Sequence, residues 1–163
     1  MPAAAPLISV VIPCFNHGLF LREALESIGA PARRTEIVVV DDGSTDSSSR
    51  VAEQYAAASP IPVYCVRQQN QGLAAARNRG FRESRGRYVV FLDADDRLVP
   101  GALDTAAAAA EGHPECFFVF GRCTMMSADG TPLPTPGQPV ITHDHYRELL
   151  RRNYIWMPAM AMF

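Results

Sequence analysis

The stretch Leu7-Ile8-Ser9-Val10-Val11-Ile12-Pro13 decides the fold class of this chain of 163 residues. It is a nearly continuous run of apolar residues, many of them β-branched, which is the pattern of a strand buried on both faces. Apolar residues then recur at helical spacing over residues 19–28, which predicts a helix. The chain therefore opens with a strand and its crossover helix.

The same strand–helix unit recurs three more times. The predicted pairs are a strand at 36–41 with a helix at about 45–58, a strand at 63–67 with a helix at about 72–84, and a strand at 88–92 with a helix at 101–111. Four such units in series predict an α/β fold in three layers, with a parallel sheet, right-handed crossovers and helices on both faces.

The alternation of strand and helix patterns ends after Pro114. Residues 116–127 and the stretch after Ala128-Asp129-Gly130 have the pattern of strands joined by a tight turn, so we expect a mostly parallel but mixed sheet. The proline-rich residues 131–139 cannot form a central strand and should cross the surface. A short helix is expected at about 143–152.

The chain ends inside the apolar segment 156–163, with neither a turn signal nor a polar end. We therefore expect one domain, residues 1–163, that is incomplete at its C-terminus. A chain cut through an apolar strand exposes a sheet edge, which makes a homodimer possible.

Composition excludes several classes of function. A net charge of −2 gives no electrostatic case for a nucleic-acid partner. No apolar run approaches the roughly 20 residues that span a bilayer, so no membrane segment is expected in this chain. The first residues lack the basic start and apolar core of a secretory signal. A cytoplasmic protein is expected, and membrane association stays open for a longer chain.

All 15 basic residues are arginines, and the sequence contains no lysine. A P-loop NTPase and a Schiff-base enzyme would each lack their central residue. The four cysteines form no CxxC pair and lie in or beside apolar runs, so we expect buried free thiols. The cysteines are Cys14, Cys65, Cys116 and Cys123.

In an open parallel sheet, ligands bind outside the carboxyl ends of the strands. The residues that follow the predicted strands should therefore share one rim, and five of them are acidic: Asp41, Asp42, Asp93, Asp95 and Asp96. So many carboxylates need positive compensation. Oxygen ligands favour a hard cation such as Mg²⁺ or Mn²⁺, which commonly takes one or two carboxylates and fills its other positions with substrate phosphates.

Each acidic group has a simpler interpretation when taken alone. Asp41-Asp42-Gly43-Ser44 has the composition of a turn and a helix cap, which would account for it without any ligand. Asp93-Ala94-Asp95 is a short pattern that often carries no function. Because both groups directly follow predicted buried strands, together they favour binding.

Four ordered blocks carry a family resemblance. They are Ser9-Val10-Val11-Ile12-Pro13 with Phe15-Asn16, Val38 through Asp46, Asn70-Gln71-Gly72 through Ala76-Arg77-Asn78, and Phe91-Leu92-Asp93-Ala94-Asp95-Asp96. In these blocks the chain resembles family 2 glycosyltransferases, which have a GT-A (Rossmann-like) fold. The resemblance covers about residues 7–125 and fades in the proline-rich stretch.

The resemblance implies transfer of a sugar from a nucleoside-diphosphate sugar, with a UDP-sugar favoured, to a carbohydrate or lipid-linked acceptor hydroxyl. The transfer would depend on a divalent metal (Mn²⁺ or Mg²⁺) and invert the sugar's configuration. The implied nucleotide-sugar contacts are Pro13, Phe15, Asp41, Asp42, Arg77, Asp93, Ala94 and Asp95.

Within that set, the resemblance places Asp42 more than Asp41 on the base and Arg77 near the base or the diphosphate. Asp93 would face the ribose or the metal, and Asp95 would be the metal ligand. In an Asp-x-Asp-Asp run, however, Asp96 could take the place of Asp95.

The resemblance implies that the general base lies further along the chain than Phe163, so no catalytic residue is identified within these residues. Asp144 and Glu148 fit a solvated helix face better. Two other functions stay open. A haloacid-dehalogenase-like phosphatase also places Asp-x-Asp after a buried strand, although its later lysine is absent here. A non-catalytic module could bind the nucleotide sugar without turnover.

Overall fold

The computed structural model describes residues 5–135, 137, 141, 144–151, 155 and 158–163. Its elements in chain order are β1 (Ile8–Cys14), α1 (Leu21–Ser27), β2 (Thr35–Asp41), α2 (Ser48–Ala58), β3 (Val63–Arg67), α3 (Leu73–Glu83), β4 (Tyr88–Phe91), α4 (Ala102–Gly112), β5 (Val119–Phe120), α5 (His145–Arg151), a 3₁₀ turn (Pro158–Met160) and β6 (Ala161–Met162). The four predicted strand–helix units are therefore confirmed.

The strands form one six-stranded sheet in the order β3-β2-β1-β4-β6-β5. Strands β1 to β4 run parallel, and β6 pairs antiparallel with both β4 and β5. The predicted mostly parallel, mixed sheet is confirmed. The order reverses at β1, whose neighbours β2 and β4 end on the same side, and this places the loops after all three strands on one rim.

Helices cover both faces of the sheet. Side chains from β1, such as Val10 and Ile12, pack with α1, α2 and α4 in the larger core cluster. On the opposite face, Val11 packs with Val38, Val40 and Ala76 of α3. Every residue of β1 and β2 is buried, because strands in the middle of a covered sheet have no solvated face. The predicted three layers are confirmed.

Helix α2 begins later than predicted, at Ser48 rather than at residue 45. The backbone N–H groups of Thr45 and Asp46 donate to Oδ1 of Asn16, 2.8 and 3.3 Å away, instead of entering a helix. A long-range contact thus overrides the local capping pattern.

The region after α4 holds less strand than predicted. Within 116–127 the structure has only the two-residue strand β5. The tight turn is present, because Ser127 N donates to Thr131 O at 2.9 Å and Leu133 N donates to Met125 O at 2.9 Å. A short hairpin therefore stands where a longer strand pair was expected. Residues 136, 138 and 139 of the proline-rich stretch lie outside the described residues.

The last described residues correct the expectation of an exposed edge. Strand β6 lies between β4 and β5, so the apolar C-terminal segment is inside the sheet. The sheet edges are β3 and β5 instead. Residues 156 and 157, at the start of that segment, lie outside the described residues.

The expectation of buried thiols is correct for one cysteine. Cys14 is buried in β1, whereas Cys65 and Cys116 are exposed and Cys123 is partly exposed; all four are free. The reason for Cys65 is topological, since β3 is an edge strand and has a neighbour on one side only. An apolar run in the sequence did not distinguish an edge strand from a central one.

Candidate functional site

The loops after β1 and β2 are bonded to each other by several hydrogen bonds. Besides accepting from the backbone of residues 45 and 46, Asn16 donates its own N–H to Ser44 Oγ at 3.0 Å. Gly18 N donates to Asp46 Oδ2 at 2.9 Å. Asn16 has a φ of 57°, a left-handed conformation that asparagine tolerates better than most residues. This half of the rim is therefore fixed before any ligand binds.

Asp41 and Asp42 are buried, with 5% and 3% of their surface exposed, and both have protein partners. Asp41 accepts from Ser44 N at 2.8 Å and from the Ser49 hydroxyl, and Arg67 Nε lies 3.5 Å from its Oδ2. The predicted turn role of Asp41 is therefore present, whether or not it also contacts a ligand. The predicted cap is not, because α2 has Ser47 at its N-cap with no side-chain cap hydrogen bond.

Asp42 holds the loop that leads into α3. Its Oδ1 accepts from Gln68 Nε2 at 2.7 Å and from Gln71 N at 2.9 Å. Its Oδ2 accepts from Gly72 N at 2.8 Å. A carboxylate offers about four lone-pair sites, so Oδ2 retains capacity for one further donor. Gln68 follows β3, and sequence reasoning did not identify its role because nothing local links it to residue 42.

Helix α3 approaches the sheet closely at Gly80. A Cβ at this position would lie 2.2 Å from Val11 Cγ1 and 3.2 Å from Val40 Cγ2, so a side chain there would push the helix outward. This close contact sets the height of α3 above the sheet. It also sets the reach of Arg77, which lies on the preceding turn of the same helix.

Arg77 forms an ion pair with Asp93 at the end of β4. Its Nη2 lies 2.7 Å from Asp93 Oδ1 and 3.0 Å from Oδ2, so one nitrogen serves both carboxylate oxygens. The Nε of Arg77 is buried and has no hydrogen-bond partner among the described residues. Two residues that sequence reasoning placed in one site are thus in contact, with the guanidinium only partly satisfied.

The remaining carboxylates of this rim lack such partners. The side chain of Asp95 is 55% exposed, and its Oδ2 lies 4.0 Å from Nε2 of His17. Asp96 Oδ2 is buried without a hydrogen-bond partner in the part of the chain that the structure describes. Burial, together with the negative charges of Asp93 and Asp95, raises the pKa of Asp96 to about 6. This part of the rim has an excess of negative charge.

The apolar residues predicted for the site lie along the same rim. Pro13 is buried within β1, Phe15 follows that strand with 43% of its surface exposed, and Ala94 is buried between the two aspartates. An exposed aromatic ring beside buried polar groups is suited to stacking on a planar ligand.

A cavity of about 850 Å³ adjoins the acidic rim. Its walls include the loop of residues 95–101, the start of α4 and the segment 119–132, and Asp95, Asp96 and Arg97 are among the residues that line it. Arg97 also forms an ion pair with Glu23 of α1. The cavity is therefore open to the same carboxylates that lack partners.

The described residues do not by themselves form a complete metal site. Among the described residues there is no group of three or more His, Cys, Asp or Glu side chains placed to hold a metal ion. The available ligands are carboxylate oxygens, which suit a hard cation, and further ligands would have to come from a substrate. Asp144 precedes α5, and Glu148 of that helix pairs with Arg151 at 3.1 Å, as expected of a solvated face.

Comparison with known proteins places this site in a family. The family model described as glycosyl transferase family 2 matches residues 9–160, which is most of the chain. The chain belongs to glycosyl transferase family 2. Membership removes the haloacid-dehalogenase-like alternative, and the GT-A fold implied by the four sequence blocks is confirmed.

Relatives of this family 2 domain are longer proteins. It is 32% identical over 129 residues to the putative teichuronic acid biosynthesis glycosyltransferase TuaG of Bacillus subtilis, a match that covers 78% of this chain and 51% of TuaG. The domain thus spans about half of that relative.

Two solved structures share the fold. S. aureus TarS 1-349 in complex with UDP-GlcNAc superposes with a TM-score of 0.65 at 28% identity, covering 78% of this chain and 37% of the other. The mannosyltransferase PcManGT from Pyrobaculum calidifontis, in complex with GDP-Man and Mn²⁺, gives a TM-score of 0.60 at 29% identity, covering 67% and 33%.

The family 2 domain contains no membrane-spanning candidate among its described helices, since none of them is both long and apolar enough.

Proposed function

We propose that this domain binds a nucleoside-diphosphate sugar together with a divalent cation, as the donor half of a glycosyltransferase that passes the sugar to an acceptor hydroxyl. The observation that carries the proposal is the acidic rim after β4, where Arg77 pairs with Asp93 and the buried Asp96 Oδ2 has no partner among the described residues. It lies beside a rim after β1 and β2 that is already bonded. Solved relatives bound to UDP-GlcNAc and to GDP-Man with Mn²⁺ support it.

The nucleoside would lie over the fixed half of the rim. Pro13 and the exposed ring of Phe15 would contact the base, and the spare acceptor capacity of Asp42 Oδ2 would take an N–H of the base, while Asp41 supports the loop. Such an acceptor favours a base with an imino N–H, as in UDP or GDP, over cytosine. Among these a UDP-sugar is our preferred donor.

The diphosphate would lie over Arg77, Asp93, Ala94 and Asp95. A carboxylate cluster with an unpartnered oxygen on Asp96 fits a hard cation. Asp95, whose side chain is 55% exposed, is the most accessible ligand for that cation. Asp93 would face the ribose or the cation. A bound Mg²⁺ or Mn²⁺ would neutralise the diphosphate as leaving group.

The acceptor would enter through the cavity beside Asp95 and Asp96, which is large enough for a sugar. Inverting transfer needs a base within hydrogen-bond reach of the acceptor hydroxyl. We assign that base to a part of the protein beyond these residues. A domain that binds the donor without turnover is the alternative, and transfer by a longer chain would exclude it.

The test is calorimetric titration with UDP, GDP, TDP and CMP, each with and without Mn²⁺. We expect one nucleoside diphosphate to bind selectively and only with the cation, and Asp95→Ala to lose that binding. Glu53→Ala, which removes an exposed carboxylate from α2, is the matched control and should bind as the wild type does. Folded protein that binds none of the four nucleotides would refute the proposal.

A homodimer stays a separate prediction, although the C-terminal apolar segment that suggested it lies inside the sheet as β6. Sedimentation equilibrium over a range of protein concentrations tests it, and a monomer at the highest concentration would contradict it.

A further inference from the structure

We infer that Arg77 is a positioning residue that withholds Asp93 from the metal until a diphosphate engages its guanidinium, so that the cation enters with the nucleotide rather than ahead of it. The inference rests on the proposed function. It concerns the order of binding and the residue that sets this order.

The first observation is the ion pair itself. Both oxygens of Asp93 lie within hydrogen-bond distance of Arg77 Nη2, at 2.7 and 3.0 Å, and the two side chains are about a quarter exposed. A cation that coordinated Asp93 would have to displace this contact or share the carboxylate with a second positive charge. Either event opposes binding of a metal ion alone.

The second observation is that the rest of the rim cannot replace Asp93 as a metal ligand. Without Asp93, the adjacent ligands are Asp95 and Asp96, and the described residues contain no group of three metal-binding side chains. A divalent cation held by so few protein ligands requires phosphate oxygens to complete its coordination. The metal site is therefore formed jointly by protein and nucleotide.

The third observation explains why Arg77 can leave Asp93. The pair leaves Arg77 Nε buried without a hydrogen-bond partner, and an unpaired donor on a charged group is costly. A diphosphate offers several anionic oxygens to the five N–H groups of a guanidinium. Moving from Asp93 to the diphosphate would satisfy more of these groups and free Asp93 at the moment the cation arrives.

The experiment measures Mn²⁺ binding without nucleotide, by electron paramagnetic resonance of the free ion. We expect Arg77→Gln to raise the affinity for Mn²⁺ alone by about fivefold, the order expected for one partly exposed charge pair. In the presence of Mn²⁺, the same variant should bind UDP about tenfold more weakly, since it loses a charge-assisted contact. Arg77→Met gives a second variant should the glutamine variant fold poorly.

Two controls separate this effect from a general change of charge. Arg79→Gln removes an arginine from the same helix, where it pairs with Glu83 at 2.8 Å, and should leave Mn²⁺ affinity unchanged. In an Asp93→Asn background, Arg77→Gln should no longer raise the affinity, because the carboxylate it would release is gone.

The results distinguish the two proposals. Unchanged Mn²⁺ affinity in folded Arg77→Gln would overturn the inference, as would an equal gain in the Asp93→Asn background, which would show a through-space charge effect only. Neither result touches the proposed function, which fails instead if the wild type binds no nucleoside diphosphate with Mn²⁺.

Discussion

The two halves of the rim differ in how many of their polar atoms already have partners. After β1 and β2, Asp42 accepts three hydrogen bonds and Asn16 ties one loop to the next. After β4, Asp95 has a distant histidine and Asp96 carries a buried oxygen without a partner among the described residues. The first half is complete as folded, whereas in the second half Arg77 pairs with Asp93 and leaves Asp95 and Asp96 without a close positive partner.

The pKa values of Asp46 and Asp96, one from each half of the rim, are shifted in opposite directions. Burial, which alone would raise the pKa of Asp46, is outweighed by hydrogen bonds from Ser48 and Gly18, so its pKa lies below the usual value. At Asp96, burial and two neighbouring carboxylates act in the same direction and raise the pKa to about 6. The ionised Asp46 carboxylate therefore stabilises the fold, whereas ionisation of Asp96 opposes it.

Asp42→Ala should give the largest loss of stability and so the clearest difference between the two halves. The substitution removes a buried carboxylate that accepts three hydrogen bonds, from Gln68 Nε2, Gln71 N and Gly72 N, which should lower the free energy of unfolding by about 3 kcal/mol. Urea unfolding measures this. Asp95→Ala is the contrast, because an exposed carboxylate with a partner 4.0 Å away should cost less than about 0.5 kcal/mol. Equal losses in the two variants would contradict the division.

Gly80→Ala should give an intermediate effect and tests how the two halves are joined through α3. Overpacking against the stiff Val11 side chain costs about 1–3 kcal/mol, and the better helix propensity of alanine returns about 1 kcal/mol. We expect a net loss of up to about 2 kcal/mol in urea unfolding. We also expect weaker UDP binding, because Arg77 moves with the helix.

The matched control for that variant is Gly112→Ala, at the last residue of α4, where a Cβ would meet nothing within 4 Å. It should leave stability unchanged or slightly higher. Full UDP affinity in Gly80→Ala would show that α3 can shift without affecting the site.

The sequence was sufficient to place the rim, because strand–helix units with short periodic patterns determine where each parallel strand ends. It could not give the contacts across the rim. Arg77 and Asp93 are 16 residues apart, Asp42 and Gly72 are 30 apart, and no local pattern pairs them. The insertion of β6 between β4 and β5 likewise depends on long-range pairing. The two apolar residues of β6 do not predict it from the sequence.

Where predictions were wrong, local pattern competed with topology. The apolar stretch around Cys65 does form a strand, but at the edge of the sheet, so the thiol is exposed. The apolar run after residue 115 gives only the short strand β5, followed by a hairpin that uses the predicted turn. Periodicity reports which residues could be buried, and neighbours in the fold decide which of them are.

Asp96→Asn should give the smallest change in the free energy of unfolding. It tests whether ionisation of a carboxylate after β4 lowers stability, in contrast to Asp46 in the other half. The pKa of Asp96 is raised in the fold, so the native state binds its proton more tightly than the unfolded chain does. As pH rises from 3.8 to about 6, ionisation of Asp96 should therefore lower the stability of the wild type. Since the side chain is half-buried, solvent screening limits this loss to about 1 kcal/mol.

Urea unfolding without metal, at pH 4.5 and pH 7, measures the difference between wild type and Asp96→Asn, in which the contributions of all other groups cancel. We expect the stability of Asp96→Asn relative to the wild type to increase as pH rises. Asp46→Asn should show no such change between pH 4.5 and pH 7, because the stabilising carboxylate that it lacks is ionised in the wild type across that range. Its deficit should shrink only below pH 3.8, which a further measurement at about pH 3 checks. Parallel pH profiles for Asp96→Asn and the wild type would mean that the acidic rim carries no excess charge, and the case for a cation there would lose its electrostatic basis.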